Sequence, residues 1–228
     1  ILDRVKAEMS WEIGVAFDTP AACFHGGKFF EAVGDEFQNL DRLDSIINAD
    51  VLDAWFPPSP KVVEAIALRL PQILRTSPPT NCDGLVRTIA RVRGVQSECI
   101  LPGAGSSDLI FLALRHWLTP ESRVLILDPT YGEYAHVLER VIGCQVDRLQ
   151  LERAQQYRLD PGRLENSMIG EYDLIVLVNP NSPTGQHVAR EEMLTALRDA
   201  PPTTRIWVDE TYVEYAGPEQ SLEQFAAA

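Results

Sequence analysis

Short apolar runs alternate with helical patterns along the chain from Glu98 onward. Amphipathic periodicity near residues 107–117, 132–142 and 190–199 predicts helices between these runs. The runs are residues 99–101, 124–127, 146–151, 174–178 and 206–208. Because most of them carry no polar face and helices separate them, they predict strands of a parallel sheet that is covered on both sides. The predicted fold class is therefore α/β, with a mostly parallel sheet and helices on both faces.

Two proline clusters, at residues 56–60 and 76–80, predict turns in the first third of the chain. Between them, Ser59 is a suitable N-cap and Pro60 a suitable first residue for a helix with an apolar stripe. A second helix is predicted from about Asp83, with an apolar stripe facing inward and Gly94 at its end. Its inward residues are Leu85, Val86, Ile89 and Ala90. Residues before 56 show only a weak pattern, which predicts an arm or part of a smaller domain.

Composition and charge exclude several classes of protein. The 228 residues are 45% hydrophobic and 23% charged, which is ordinary for a globular protein. No run of eighteen apolar residues exists and residues 1–6 lack the shape of a signal peptide, so we expect a cytoplasmic protein with no membrane partner. A net charge of −13 without a basic patch argues against nucleic acid. The four cysteines form no C-x-x-C spacing, and no metal site is predicted.

Residues 102–108 are the first candidate for chemistry, because they follow a predicted strand and open a helix. In parallel sheets, ligands bind at the carboxyl ends of the strands. Here Gly103 and Gly105 permit a tight turn, and Ser106, Ser107 and the unpaired N–H groups of the helix start favour an anion such as a phosphate. The alternative is a plain turn in which one serine only caps the helix.

Three more predicted strands end in polar or aromatic residues. Tyr131 can stack on a planar ligand or pack over the sheet edge, whereas Tyr134 fits the inward stripe of the following helix. Residues 179–185 form a turn constrained by two prolines and a glycine, and they display three small polar side chains. Asp209 ends a buried strand, where a carboxylate needs a partner, and Tyr212 can share its ligand. Alternatively, Asp209 caps the next helix.

Taken in this order, the four segments resemble the fold-type I pyridoxal-phosphate aminotransferases. The similarity is greatest to the branch that includes histidinol-phosphate aminotransferase and threonine-phosphate decarboxylase. Residues 103–107 match the family's phosphate loop, and residues 129–132 match the loop whose aromatic stacks on the pyridine ring. Residues 179–185 match its N-P-N-N-P-T-G turn, and residues 209–212 match D-E-x-Y.

The resemblance implies pyridoxal 5′-phosphate as the cofactor. The serines at the helix start would anchor its phosphate, and Tyr131 would fix the plane of the ring. Asp209 would hold the ring nitrogen protonated. Tyr212 and the turn at 179–185 would bond the ring hydroxyl. The implied cofactor-binding residues are Gly105, Ser106, Ser107, Tyr131, Asn181, Ser182, Asp209 and Tyr212.

The resemblance also implies an activity and a domain organisation. The activity is amino-group transfer on an amino-acid substrate through a Schiff base, in a homodimer whose subunits share their active sites. Residues 1–75 would form the N-terminal arm and part of the small domain. Residues 76–228 would form the N-terminal part of the cofactor-binding large domain.

The chain departs from the family pattern at three places. Ser182 stands where the family usually has asparagine, and Ser77-Pro78-Pro79 stands where relatives often have tyrosine-proline-aspartate. In the family, the lysine that forms the Schiff base lies a few tens of residues after the D-E-x-Y aspartate, yet no lysine follows Lys61 here. We therefore expect no catalytic residue in this chain, which would be the inactive amino-terminal portion of a longer enzyme. The alternative is a lysine-free relative.

Other functions stay open at this stage. A pyridoxal-phosphate-dependent decarboxylase of the same fold would carry the same four segments. A non-catalytic dimerisation or regulatory module would keep only the interface between subunits. An S-adenosylmethionine or nucleotide-binding enzyme would also place an acidic residue, here Asp128, about twenty residues after a glycine-rich turn.

Overall fold

The sheet has four strands, all parallel, in the order β2-β1-β3-β4. The computed structural model describes residues 28–34, 40–48, 54 and 56–228. The strands are β1 (Arg123–Asp128), β2 (Gln145–Gln150), β3 (Leu174–Val178) and β4 (Arg205–Asp209). Four of the five predicted strands are thus confirmed, and so is the α/β class. In register, Val178 at the end of β3 lies opposite Asp209 at the end of β4.

Nine helices accompany the sheet in the described residues. They are α1 (Lys28–Val33), α2 (Pro60–Ile73), α3 (Asp83–Arg93), α4 (Ser106–Trp117), α5 (Gly132–Ala135, continued as a π-helix over His136–Ile142), α6 (Pro161–Ser167), α7 (Arg190–Leu197), α8 (Val213–Ala216) and α9 (Glu223–Ala226). Short 3₁₀ turns cover Leu40–Ser45, Ser97–Cys99, Arg153–Gln155 and Pro218–Gln220. No helix among the described residues is both long and apolar enough to cross a membrane.

Alternation along the strands sends side chains to two separate cores, one on each face of the sheet. On the first face, Val124, Ile126 and Val176 pack with helices α4 and α5. On the second face, Leu125 and Ile175 pack with helices α6 and α7. The same alternation in β4 sends Ile206 and Val208 to the second core and Trp207 to the first. Asp209, two residues after Trp207, therefore emerges on the face of α4 and α5.

The predicted strand at residues 99–101 is wrong. The chain there forms the 3₁₀ turn Ser97–Cys99 and then runs without regular structure to α4. Leu101 is exposed, and no described strand pairs with this run. A run of three apolar residues is too short to distinguish a strand from an irregular segment.

Helices α2 and α3 form where they are predicted, and neither has a buried residue. In α3, Val86, Ile89 and Ala90 are half-buried, whereas Leu85, which we also predict to face inward, is 53% exposed. Ser59 makes no side-chain capping bond at the start of α2, whereas Gly94 does end α3 with a left-handed φ of 70°. The hydrophobic periodicity gives the helix correctly, but it does not say what covers the stripe.

Candidate functional site

The carboxyl ends of strands β1, β3 and β4 lie side by side and deliver three of the four candidate segments to one edge of the sheet. Backbone and side-chain bonds join two of these loops. Asn181 is buried, and its Nδ2 donates to the carbonyl of Pro129 at 3.0 Å. In return, Thr130 Oγ1 donates to Asn181 Oδ1 at 3.0 Å. The amide of Asn181 thus fixes the β1 loop against the β3 loop.

The turn after β3 is held at its two ends by Asn179. This side chain is only 3% exposed, and it makes two 2.9 Å bonds with the backbone of Val188, donating to the carbonyl and accepting from the N–H. Gly185 takes a left-handed φ of 68° inside the turn. Ser182, which lies between Asn179 and Gly185 along the chain, is half-buried. The turn is therefore closed by two hydrogen bonds between Asn179 and Val188.

The start of α4 provides the features of an anion site. Gly105 precedes the helix with φ 92° and ψ 173°, a conformation that only glycine adopts without strain. Gly105 has no side chain that could cap the helix, and the Asp108 carboxylate accepts from the N–H of Ala104 at 2.9 Å, before the first turn. The first-turn N–H groups lie at the positive end of the helix dipole. A Cβ on Gly105 would meet no described atom within 4 Å, so open space lies over the turn. Ser106 is exposed there and Ser107 is half-buried.

Glu133 connects the α4 start to the loop after β1. Its carboxylate is buried, and its Oε2 accepts bonds from Ser107 Oγ at 2.6 Å and from Tyr131 OH at 2.8 Å. The predicted phosphate-anchoring serine and the predicted ring-stacking tyrosine thus share one acceptor. Glu133 was not predicted from the sequence, because its partner Ser107 lies 26 residues away along the chain.

Asp209 is buried at 9% exposure, and both of its carboxylate oxygens accept hydrogen bonds. Thr211 donates to Oδ1 twice, from its backbone N at 2.9 Å and from its hydroxyl at 2.7 Å. Tyr134 OH donates to Oδ2 at 2.7 Å. The pKa of Tyr134 is raised, above all by its burial and then by the charge of Asp209, so the phenol keeps its proton. These three donors supply the partners that a buried carboxylate needs.

Tyr134 and Thr211 were not predicted from the sequence as partners of Asp209. Tyr134 falls on the core stripe of its helix and is also fully buried, so periodicity alone indicates a packing role. Tyr212, the predicted companion of Asp209, is half-buried at the start of α8, with its ring centroid 6.3 Å from that of Tyr215. Its predicted contact with the cofactor stays a prediction.

A continuous path of contacts joins the α4 start to Asp209. Ser107 and Tyr131 meet at Glu133, and the ring of Tyr131 packs edge-on against Tyr134 with centroids 6.0 Å apart and planes at 80°. Tyr134 then bonds Asp209. Three of the four candidate segments are therefore brought together by this path, and Asn181 attaches the fourth through the loop of Thr130.

Comparison with known proteins identifies the family. The sequence profile described as "Aminotransferase class I and II" matches residues 48–227, which is most of the chain. The chain belongs to the class I and II aminotransferases. Asp128, which the nucleotide-binding alternative would place on a ribose, accepts a bond from Gln150 of β2. In this aminotransferase-family chain, the D-E-x-Y segment lies at the end of β4 and is joined to the α4 start by the contact path described above.

Several relatives in this family are histidinol-phosphate aminotransferases. The enzyme of Staphylococcus carnosus is 32% identical over 162 residues, covering 70% of this chain and 44% of the relative. The solved structure of a putative histidinol-phosphate aminotransferase from Erwinia carotovora atroseptica aligns with a TM-score of 0.63 and 25% identity, over 73% of this chain and 48% of that one. The histidinol-phosphate aminotransferase of Sinorhizobium meliloti, solved with pyridoxal-5′-phosphate, aligns with a TM-score of 0.62 and 25% identity, over 71% and 43%. The chain thus spans less than half the length of these relatives.

The groups at this edge are of the right kinds for the cofactor used in the family. An uncapped helix start suits a phosphate, and an aromatic ring beside it suits a flat heterocycle. A carboxylate accepts about four hydrogen bonds, and three donors from the chain occupy Asp209, so it has room for about one more. The site therefore fits pyridoxal phosphate in its donors and acceptors.

Proposed function

We propose that this chain forms the cofactor-holding part of a pyridoxal-phosphate-dependent amino-acid aminotransferase. Membership of the aminotransferase family supports the class of reaction. The observation that carries the proposal is the contact path from Ser107 to Asp209 through Glu133, Tyr131 and Tyr134. It joins an anion-binding turn to a buried carboxylate across an aromatic surface, which is the order of groups that such a cofactor requires.

Each end of the site has a separate electrostatic task. At the α4 start, Gly105, Ser106 and Ser107 would bind the phosphate through backbone N–H groups and hydroxyls. Ser107 has one hydroxyl proton, which now points to Glu133, so its bond to a phosphate would replace the bond to Glu133. Tyr131 still donates to that carboxylate, which leaves Glu133 with a partner.

At the other end, Asp209 would hold a proton on the ring nitrogen. Pyridoxal phosphate supplies an electron sink when its ring nitrogen carries this proton. Tyr131 would cover one side of the ring and fix its plane. Asn181, Ser182 and Tyr212 would orient the ring through its hydroxyl. The Asn181 amide already bonds Pro129, Thr130 and Thr184, so its contribution would be to hold the loop in place.

The lysine that links the cofactor to the protein is not among these residues, in our proposal. The chain has lysine only at Lys6, Lys28 and Lys61, and the site is built from residues 105–212. The chain would therefore hold the cofactor through non-covalent contacts and would not by itself transfer amino groups. The whole protein would act in the cytoplasm on an amino-acid substrate.

We further propose that the whole protein is a homodimer with shared active sites. The exposed apolar stripe of α2 supports this, because Val62, Ile66 and Ile73 are each about half exposed and no described residue buries them. Contiguous exposed apolar surface of this kind is typical of protein interfaces. Gel filtration of the whole protein with light scattering tests this proposal, and a monomer would contradict it.

Titration of the chain with pyridoxal phosphate, followed by absorbance and fluorescence, tests the cofactor site. Asp209→Asn and Ser107→Ala should each weaken binding, whereas Asp147→Asn, which changes an aspartate of β2 away from this edge, should not. Inorganic phosphate should compete with the cofactor in the parent chain. If all three variants bind pyridoxal phosphate with the affinity of the parent chain, the proposed site is contradicted. Borohydride treatment should leave no reduced adduct on any lysine, and a specific adduct would refute the non-covalent mode.

A further inference from the structure

The buried phenol of Tyr134 is held from both sides. The residue is 0% exposed and belongs to the core cluster between the sheet and helices α4 and α5. Trp207 Nε1 donates to Tyr134 OH at 2.8 Å, and Tyr134 OH donates to Asp209 Oδ2 at 2.7 Å. Trp207 and Asp209 stand on the same side of β4, two residues apart, so one strand presents both partners to the phenol.

The direction of these bonds is fixed by chemistry. An indole N–H can only donate, and an ionised carboxylate can only accept. The oxygen of Tyr134 must therefore accept from Trp207, and its single proton must point to Asp209.

The three donors on Asp209 also fix the orientation of its carboxylate. Thr211 holds Oδ1 with two bonds, and Tyr134 holds Oδ2 with one. A rotation of the carboxylate about its last bond would break bonds at both oxygens. Because a carboxylate accepts about four hydrogen bonds, the remaining capacity has a direction that Tyr134 and Thr211 decide together.

We propose that Tyr134, held by Trp207, is a positioning residue that aims the open acceptor position of Asp209 at the protonated ring nitrogen of the cofactor. This inference rests on the proposed function. The edge-on contact between Tyr134 and Tyr131 adds to it, because the same buried ring supports the aromatic that would cover the cofactor. Tyr134 thereby couples the position of the ring to the carboxylate that pairs with its nitrogen.

Binding of two probes to Tyr134→Phe tests this role. The first probe is pyridoxal phosphate, and the second is its analogue with carbon in place of the ring nitrogen, which cannot pair with Asp209. Tyr134→Phe should weaken pyridoxal phosphate about tenfold, the order of one hydrogen bond to a charged group, and should leave the analogue unchanged. Trp207→Phe should likewise weaken the binding of pyridoxal phosphate and leave that of the analogue unchanged, because the Tyr134 hydroxyl loses the donor that holds it. Tyr172→Phe is the matched control, since it removes a tyrosine–aspartate bond to Asp147 on β2 and should change neither.

The outcomes separate the two proposals. Equal weakening of both probes by Tyr134→Phe, or no weakening of either, would overturn the positioning role. If the parent chain and Asp209→Asn bind pyridoxal phosphate equally, the proposed function fails and this inference fails with it. If Asp209→Asn weakens pyridoxal phosphate while Tyr134→Phe does not, only the role of Tyr134 is lost. Far-ultraviolet circular dichroism and urea unfolding of each variant confirm that it is folded before binding is compared.

Discussion

The two bonds between Asn179 and the backbone of Val188 predict a large loss of stability on substitution. Asn179→Ala leaves the N–H and the carbonyl of Val188 without their side-chain partners in a buried place. Each unsatisfied buried group costs about 1–3 kcal/mol. The two together therefore lower the free energy of unfolding by about 2–6 kcal/mol.

Urea unfolding, followed by tryptophan fluorescence, measures this loss as the change in midpoint multiplied by the slope m. Asn166→Ala is the control, because Asn166 is exposed and makes one bond to the carbonyl of Gly162 within α6. It should change stability by less than about 0.5 kcal/mol. Asn179→Asp should also destabilise, since a carboxylate cannot donate to the Val188 carbonyl. A loss below about 1 kcal/mol in Asn179→Ala would refute the reasoning.

Three further predictions concern a turn, two thiols and an ion pair. Gly105→Ala should destabilise the chain by about 1–3 kcal/mol because of its positive φ, whereas Gly84→Ala, inside a helix with open space around it, should be neutral or stabilising in the same urea assay. Iodoacetamide should alkylate exposed Cys99 well before Cys144, whose pKa is raised chiefly by burial; mass spectrometry giving equal rates would contradict this. The hydrogen bond from Arg93 lowers the pKa of Glu214 below its ordinary 4.5. Its contribution, under about 1 kcal/mol for so exposed a pair, is present above pH 4.5 and is lost as the pH falls through the lowered folded value. The difference in unfolding free energy between the parent chain and Glu214→Gln across this pH range measures the contribution. A difference that grows as the pH falls would contradict the prediction.

Local sequence patterns were sufficient to predict the helices and strands that have a clear hydrophobic periodicity and clearly marked ends. The apolar run of β3 and the helix that starts at Pro60 were predicted to within a residue or two. Helix α6 was not predicted, although its start has a local signal in the sequence. Asp160 caps the helix, and Pro161 is its first residue. The failed strand at 99–101 has no partner among the described strands, and pairing partners are not encoded in a three-residue run.

Four candidate segments could be read from the residues alone: a glycine-serine turn, an aromatic loop, a proline-constrained turn and an aspartate. They are local features, because turn residues and strand termini obey local rules of backbone conformation. The last three follow β1, β3 and β4, whereas the glycine-serine turn follows no described strand. Their order along the chain was also sufficient for the resemblance to the aminotransferase family, which the family profile confirms.

The side chains that bond to these residues could be identified only from the packing of distant elements. Tyr134 reaches Asp209 across 75 residues of chain, and Glu133 reaches Ser107 across 26. On the helix, Tyr134 is indistinguishable from a residue that merely fills the core. Its hydroxyl acquires a partner only because α5 packs on the face where Trp207 and Asp209 emerge from β4. Hydrogen-bond partners so distant in sequence depend on how whole elements pack, and no local pattern records that packing.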